Sequence, residues 1–148
     1  MKARTIDGSE RTWVLVFETG DEVVSTLQSF AAAKRLAAAH FSAIGAFREA
    51  TLAYFDWESK AYEKIFVREQ VEVLALVGDV TLDRDAPKIH AHVVVGKRDG
   101  TAHGGHLLAA HVRPTLEVML TEAPMHLRRS FDPMSGLALI DVGRSVPR

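Results

Sequence analysis

The chain has 148 residues, 47% of them apolar and 25% charged, a balance close to that of ordinary globular proteins. These figures exclude a mainly disordered chain, a collagen-like repeat and a coiled-coil rod, and the length fits one domain, residues 1–148, with a core of its own. Without cysteine and with a net charge of −1, the chain has no disulfide framework, no thiolate metal site and no overall basic field of the kind a stand-alone nucleic-acid binder carries.

Residues 1–11 are polar and read as loose. Thr12 to Phe17 is a β-prone apolar run and reads as a strand. Thr19 and Glu22 have the spacing of a capping box, which places a helix start here. Val23, Leu27, Phe30, Ala31, Ala37, Ala38 and Phe41 share one helical face, so a helix is expected over about 21–41. Gly45 breaks that pattern. Strands follow over 47–57, 62–67 and 71–82, with a turn at 56–60 and Gly78 marking a candidate bulge. After a loop at 83–87, strands are expected over 89–96 and 101–112, joined around Asp99-Gly100, then over 115–120 and 137–142. Strands in succession, without alternating helices, argue for a mostly antiparallel α+β domain with one main amphipathic helix packed on the sheet. The second sheet face then needs a loop, a ligand or another subunit. No apolar run approaches the ~20 residues of a spanning helix. Residues 1–8 lack the apolar stretch of a secretory signal, so a cytoplasmic protein with no membrane partner is expected.

Five of the seven histidines lie between His90 and His111. His90 and His92, two apart on a strand, point to one face. A catalytic zinc site commonly takes three protein ligands and leaves a fourth position open. The third ligand depends on hairpin register. A two-residue Asp99-Gly100 turn puts His103 and His111 on the face of His92. A three-residue turn, Arg98-Asp99-Gly100, pairs Lys97 with Thr101 and sets His92 opposite His106. Gly100 suits the left-handed last position of the three-residue loop, a slip of one residue flips every side chain, and a bulge at Gly104-Gly105 would flip them again. A His-x-His pair on a half-exposed strand also occurs as two solvated side chains. The third histidine and the neighbouring glycines, which leave room beside a ligand, favour a site. His111 reads as a rim residue, and His40 and His126 are isolated. Imidazoles accept zinc, iron, copper and nickel alike.

Further features run in a recognisable order: Ala43-Ile44-Gly45-Ala46, Tyr54, Tyr62, Leu76-Val77-Gly78, Pro87, His90-Ala91-His92, Asp99-Gly100, Gly104-Gly105-His106-Leu107 and Glu117-Val118. In this order the chain resembles the plants and prokaryotes conserved (PPC) domain over roughly residues 10–142. The resemblance implies an α+β fold that assembles as a homotrimer, with zinc or another divalent metal at His90, His92 and His106, as in bacterial members. Plant members join the domain to an AT-hook, a minor-groove binder that this chain lacks; Gly143 to Arg148 has related residues without the core tetrapeptide. The histidine hairpin alone is also similar to the zinc site of acetolactate decarboxylase, a likeness of scaffold that carries no reaction with it.

Three functions follow. The first is a metal-binding homotrimer with a DNA-associated or regulatory role, for which Arg128-Arg129 and the Arg144/Arg148 tail are the candidate phosphate contacts, each reading singly as solvated surface. The second is a zinc-dependent, lyase-like enzyme acting on a small carbonyl or oxyacid, with Glu117 as acid/base and Arg113 as carboxylate holder, each of which reads equally as surface. The third is a structural interaction module. A closed structural zinc site uses four protein ligands, and three clustered histidines point to an open one.

Overall fold

The computed structural model describes residues 1–6 and 11–147. In chain order the elements are β1 (Lys2–Ile6), β2 (Thr12–Glu18), α1 (Val23–Lys34), β3 (Ala38–Asp56), β4 (Ala61–Val67), β5 (Val71–Asp83), β6 (Ala86–Gly96), β7 (Ala102–Glu122), β8 (Met125–Asp132) and β9 (Leu137–Pro147). Among the described residues the strands join in the order β1-β2-β7-β3-β5-β8-β9, with β4 beside β3, and β6 paired to both β5 and β7. The pairings are antiparallel except for one parallel step, Leu82 beside Arg128, between β5 and β8. The expected class, a largely antiparallel sheet with one helix, is the class observed.

The topology rests on two long strands. β3 runs for 19 residues and β7 for 21, well beyond the usual five or six. Each changes partners along its length. The first part of β3 lies between β5 and β7, and its end lies between β4 and β7. β7 starts against β6 and finishes between β3 and β2. The pairings β3–β5, β5–β6, β6–β7 and β7–β3 therefore close into a circuit. Such closure demands bends, and the register shifts at Ala43/Gly45, Gly45/Phe47 and Thr51/Leu52 supply them. Gly45 belongs to this bend and not to a helix end. It has a φ of 152°, and a Cβ there would lie 2.8 Å from Leu116 Cα, so only glycine lets β3 pass β7 this closely.

Period-two alternation fills the interior. Trp13, Leu15 and Phe17 of β2, Ala91, Val93 and Val95 of β6, and Leu116, Val118 and Leu120 of β7 are all buried. α1 packs against β6 and β7, burying Val23, Leu27, Phe30 and Ala31. Gln28 fastens it to the start of β6, donating to the Pro87 carbonyl and accepting from Ile89 N at 3.2 Å.

Several boundaries differ from expectation. The helix ends at Lys34, because Arg35 turns into the left-handed region at φ 53° and returns its N–H to Ala31 and Ala32. Residues 38–41, read as the last helical turn, open β3 instead. Ala39, Phe41 and Ala43 are buried and alternate with exposed His40, Ser42 and Ile44, a strand period that the alanine content hid. Residues 2–6, read as loose, pair with β2. The two strands expected on either side of Pro114 are one strand, β7. Arg113, Pro114 and Thr115 have no Cα partner on β3 there, and a proline is tolerated at such an irregularity. β8 was not expected at all. Gly78 carries no bulge; it stays in register with both Phe41 and Ala91.

The helix start is also built differently from the expected box. Glu22 itself is the N-cap: its carboxylate accepts from Val24 N at 3.2 Å, from Ser25 N and Oγ at 2.6 Å each, and from Ala110 N of β7 at 3.1 Å. Burial alone would raise its pKa, but these hydrogen bonds from Ser25, Ala110 and Val24 outweigh it and hold the carboxyl below the ordinary 4.5. We expect Glu22→Ala to cost about 2 kcal/mol in urea unfolding, through the lost cap and the stranded Ala110 N–H. The stability gap between wild type and Glu22→Gln should be full above pH 4.5 and disappear as pH falls through the lowered native value.

Candidate metal centre

The hairpin between β6 and β7 sets the site. Lys97 N donates to Thr101 O at 2.8 Å, and Gly100 N to Lys97 O at 3.0 Å. Gly100 sits at φ 83°, the left-handed last residue of a three-residue loop. Asp99 Oδ1 braces the turn by accepting from Thr101 N at 2.9 Å and Thr101 Oγ1 at 2.6 Å. From this turn the register runs without a slip: Gly96 opposite Ala102, Val94 opposite Gly104, Val93 opposite Gly105 and His92 opposite His106. Gly104-Gly105 holds no bulge. Of the two registers open in the sequence, the three-residue one is adopted.

Alternation then puts Ala91 and Val93 inward and His90 and His92 outward, with His106 across from His92. One ligand nitrogen from each of His90, His92 and His106 lies within 4.8 Å of the others. The ring centroids form a near-equilateral triangle with sides of 5.1, 5.1 and 5.4 Å. His103, opposite Val95, is displaced from the triangle by the same alternation and is exposed. His111 stands elsewhere on β7, with Nδ1 3.4 Å from Glu49 Oε1.

The rings are prepared for a cation. Burial, then the neighbouring His90, lowers the pKa of His92. Burial, then His90, His92 and Lys88, pushes His106 down to about 4. Both rings are therefore neutral at pH 7, the form in which imidazole ligates metal. Among the described residues His106 Nδ1 is buried with no hydrogen-bond partner, an arrangement that costs free energy unless something outside the protein meets it. Three imidazoles converging on one point, one with an orphan nitrogen, fit a divalent transition ion.

Other residues frame the triangle. Tyr62 of β4 lies over His106 at 4.9 Å between ring centroids, and Phe55 lies edge-on to Tyr62 at 5.2 Å. Asp79 of β5 is opposite His90, and its Oδ2 is 3.5 Å from His90 Nδ1. Arg129 of β8 grips the other oxygen of Asp79 at 2.8 Å. Asp79 was missed as a site residue, because its approach to His90 depends on which strands become neighbours. Arg129, read as solvated surface, is only 8% exposed. Arg128 pairs with Asp85, so this basic pair is neutralised within the chain. Arg144 Nη1 donates to Ser130 Oγ at 3.3 Å, and Arg148 lies outside the described residues.

Glu117 and Arg113 are both exposed on β7. Glu117 lines a shallow groove of about 320 Å³ with Ile44, Leu74, Val77 and Met119. It is opposite Ile44 on β3, Ala43 is opposite Leu76 on β5, and Val77 is opposite His92 on β6. Three strand spacings, roughly 14 Å, thus separate Glu117 from the triangle.

With this geometry in place, relatives can be compared. A family model described as the Plants and Prokaryotes Conserved (PCC) domain matches residues 4–124. The chain belongs to this family. A metal-containing protein from Archaeoglobus fulgidus is 38% identical, covering 95% of this chain and 99% of its own, with a TM-score of 0.79. A candidate DNA-binding protein from Bacteroides thetaiotaomicron is 27% identical, with 96% and 99% coverage and a TM-score of 0.89. A Staphylococcus aureus protein similar to α-acetolactate decarboxylase is 15% identical over 74% of this chain and 51% of its own, at a TM-score of 0.54; it shares the fold alone. The bifunctional protein GlmU of a Synechococcus strain is 30% identical over 132 residues, 87% of this chain and 20% of that protein. The chain thus spans about a fifth of the length of that curated relative. The PCC match stops short of β8 and β9, so Arg129 lies outside it.

A Cβ on Gly105 would lie 2.7 Å from the Ala53 carbonyl oxygen. Gly105→Ala should force β3 and β7 apart beside His106, costing about 1–3 kcal/mol in chemical unfolding. Gly104→Ala, whose Cβ would approach no closer than 3.3 Å to Val93 O, should cost less.

Proposed function

We propose that this PCC-domain protein is a metal-binding homotrimer in which His90, His92 and His106 hold one divalent transition ion, with zinc the first candidate. The observation that carries the reading is the triangle of three converging imidazoles, with His106 Nδ1 buried and without a hydrogen-bond partner among the described residues. The metal-containing relative at 38% identity supports it. Three protein ligands leave a coordination position open, and His92 is exposed, so a small ligand can reach the site from solvent. When bound, such an ion supplies Lewis acidity and acidifies a coordinated water. The residues placed to act beside it are Tyr62, a flat wall against His106, and Lys88, whose charge faces the cluster and whose Nζ is 3.3 Å from Asp83.

Elemental mass spectrometry of tag-free protein should find about one ion per chain, and His106→Ala should lose it, since two imidazoles leave the ion under-coordinated. Unchanged stoichiometry in that variant would reject the assignment.

The trimer reading has a physical footing in the outward face beside the site. Ile44, Leu74, Val77 and Met119 are 62, 54, 55 and 46% exposed and line one groove. Exposed apolar residues gathered in one groove often mark an interaction surface. Native mass spectrometry should give three copies, and Val77→Glu should shift the population to monomer. A monomeric wild type at micromolar concentration would count against assembly.

A DNA-associated role is supported by the description of the Bacteroides relative. Against it stand the net charge of −1 and the pairing of Arg128 and Arg129 with acidic partners. An enzyme acting on a small carbonyl or oxyacid draws on the open site, and Glu117 and Arg113 would join it only across a subunit boundary. Salt-dependent DNA binding would favour the first; turnover that depends on the loaded metal would favour the second.

A further inference from the structure

Resting on the reading that the histidine triangle holds a cation, we propose that Asp79 and Arg129 are its positioning residues, and that the β8–β9 hairpin is a functional wall of the metal centre. Metal-ligating histidines generally donate their second ring N–H to a carboxylate or carbonyl, which fixes the tautomer and aims the ligating nitrogen. Asp79 is placed to be that partner for His90. Its Oδ2 lies 3.5 Å from His90 Nδ1, just beyond the usual range of about 2.7–3.2 Å for an N–H···O bond. An Asp79 contact at Nδ1–H would leave Nε2 as the donor atom of His90.

Asp79 in turn is held. Arg129 Nη2 donates to Asp79 Oδ1 at 2.8 Å, Nε to Thr81 Oγ1 at 2.6 Å, and Nη1 to Ala138 O at 2.9 Å. One planar guanidinium thus ties β5, beside the ligands, to β9 of the terminal hairpin, and its side chain is 8% exposed. A charge so enclosed is kept only with fixed partners. Other contacts share in this docking: the register step of Leu82 with Arg128, a bond from Leu127 N to Ala37 O at 3.1 Å, and the Arg128–Asp85 pair. Arg129 is the link that reaches Asp79 itself, and it leaves that carboxylate one oxygen to offer His90.

The test uses the full-length protein and four variants. Asp79→Ala removes the acceptor, Asp79→Asn keeps an acceptor oxygen without the charge, Arg129→Gln loosens the clamp, and Arg128→Ala breaks the neighbouring Asp85 pair without touching Asp79. Zinc affinity is read by chelator competition, ligand geometry by the visible absorption of the cobalt(II)-loaded protein, and folding by metal-free urea unfolding. We expect Asp79→Ala and Arg129→Gln to weaken zinc binding about 10–100-fold and to shift the cobalt spectrum. Asp79→Asn should recover part of the affinity, and Arg128→Ala should change neither readout. Affinity and spectrum unchanged in folded Asp79→Ala and Arg129→Gln would overturn the inference while leaving the metal site standing. Equal losses in Arg128→Ala would also overturn it, by showing that hairpin stability alone matters. A wild type that takes up no zinc would overturn the metal reading and this inference together.

Discussion

The three-residue turn at Arg98-Asp99-Gly100 is the constraint on which the candidate site depends. A strand pair has only two choices of face, and a slip of one residue exchanges them. With Gly100 in the left-handed region and Asp99 capping Thr101, Lys97 meets Thr101 and His92 meets His106. The opposite choice would bring Leu107 across from His92 and turn His106 toward the interior. The same turn that gathers three imidazoles outside therefore also keeps Leu107, Val93 and Val95 in the core. Site and core are specified by one decision.

The sheet around that hairpin does the rest. Because β3 and β7 are long enough to change partners and close the circuit with β5 and β6, the outer surface near the histidines collects residues distant in sequence. Tyr62 comes from β4, Asp79 from β5, Lys88 from the start of β6 and Arg129 from β8. Glycine permits this crowding at two places that matter. Gly45 lets the first part of β3 cross close to β7 at Leu116, and Gly105 lets the end of β3 lie against β7 beside His106. Each is a close approach of backbones, for which a side chain leaves no room.

The histidine set was legible in the sequence because it is local. His-x-His needs only the period of a strand, and its partner needs only one turn, so residues within seventeen positions carry the information. The alternation in β2, β6 and the end of β7 was legible for the same reason. The helix end was not, because Phe41 fits a helical face with Ala37 and Ala38 and equally a strand face with Ala39 and Ala43, and the left-handed turn at Arg35 has no glycine to announce it. β8 has no clean alternation: its residues are nearly all half-buried, so no period of two marks it in the sequence. The ring of neighbours around the histidines was illegible for a different reason. Asp79 and Arg129 are fifty residues apart, and only the finished sheet brings them together.

The position of Arg129 carries a consequence for how such a protein can diversify. The three histidines sit inside the PCC-matched region, on β6 and β7, whereas the Arg129 guanidinium proposed to brace them comes from a strand that begins after residue 124, where the match ends. A terminal hairpin can exchange residues, or its angle of docking, without disturbing the turn at Gly100 or the core beneath it. Members with the same three imidazoles could thus offer a bound ion different surroundings, one rigidly braced and another loose and wet. Kinship in the ligands would then be a poor guide to kinship in chemistry.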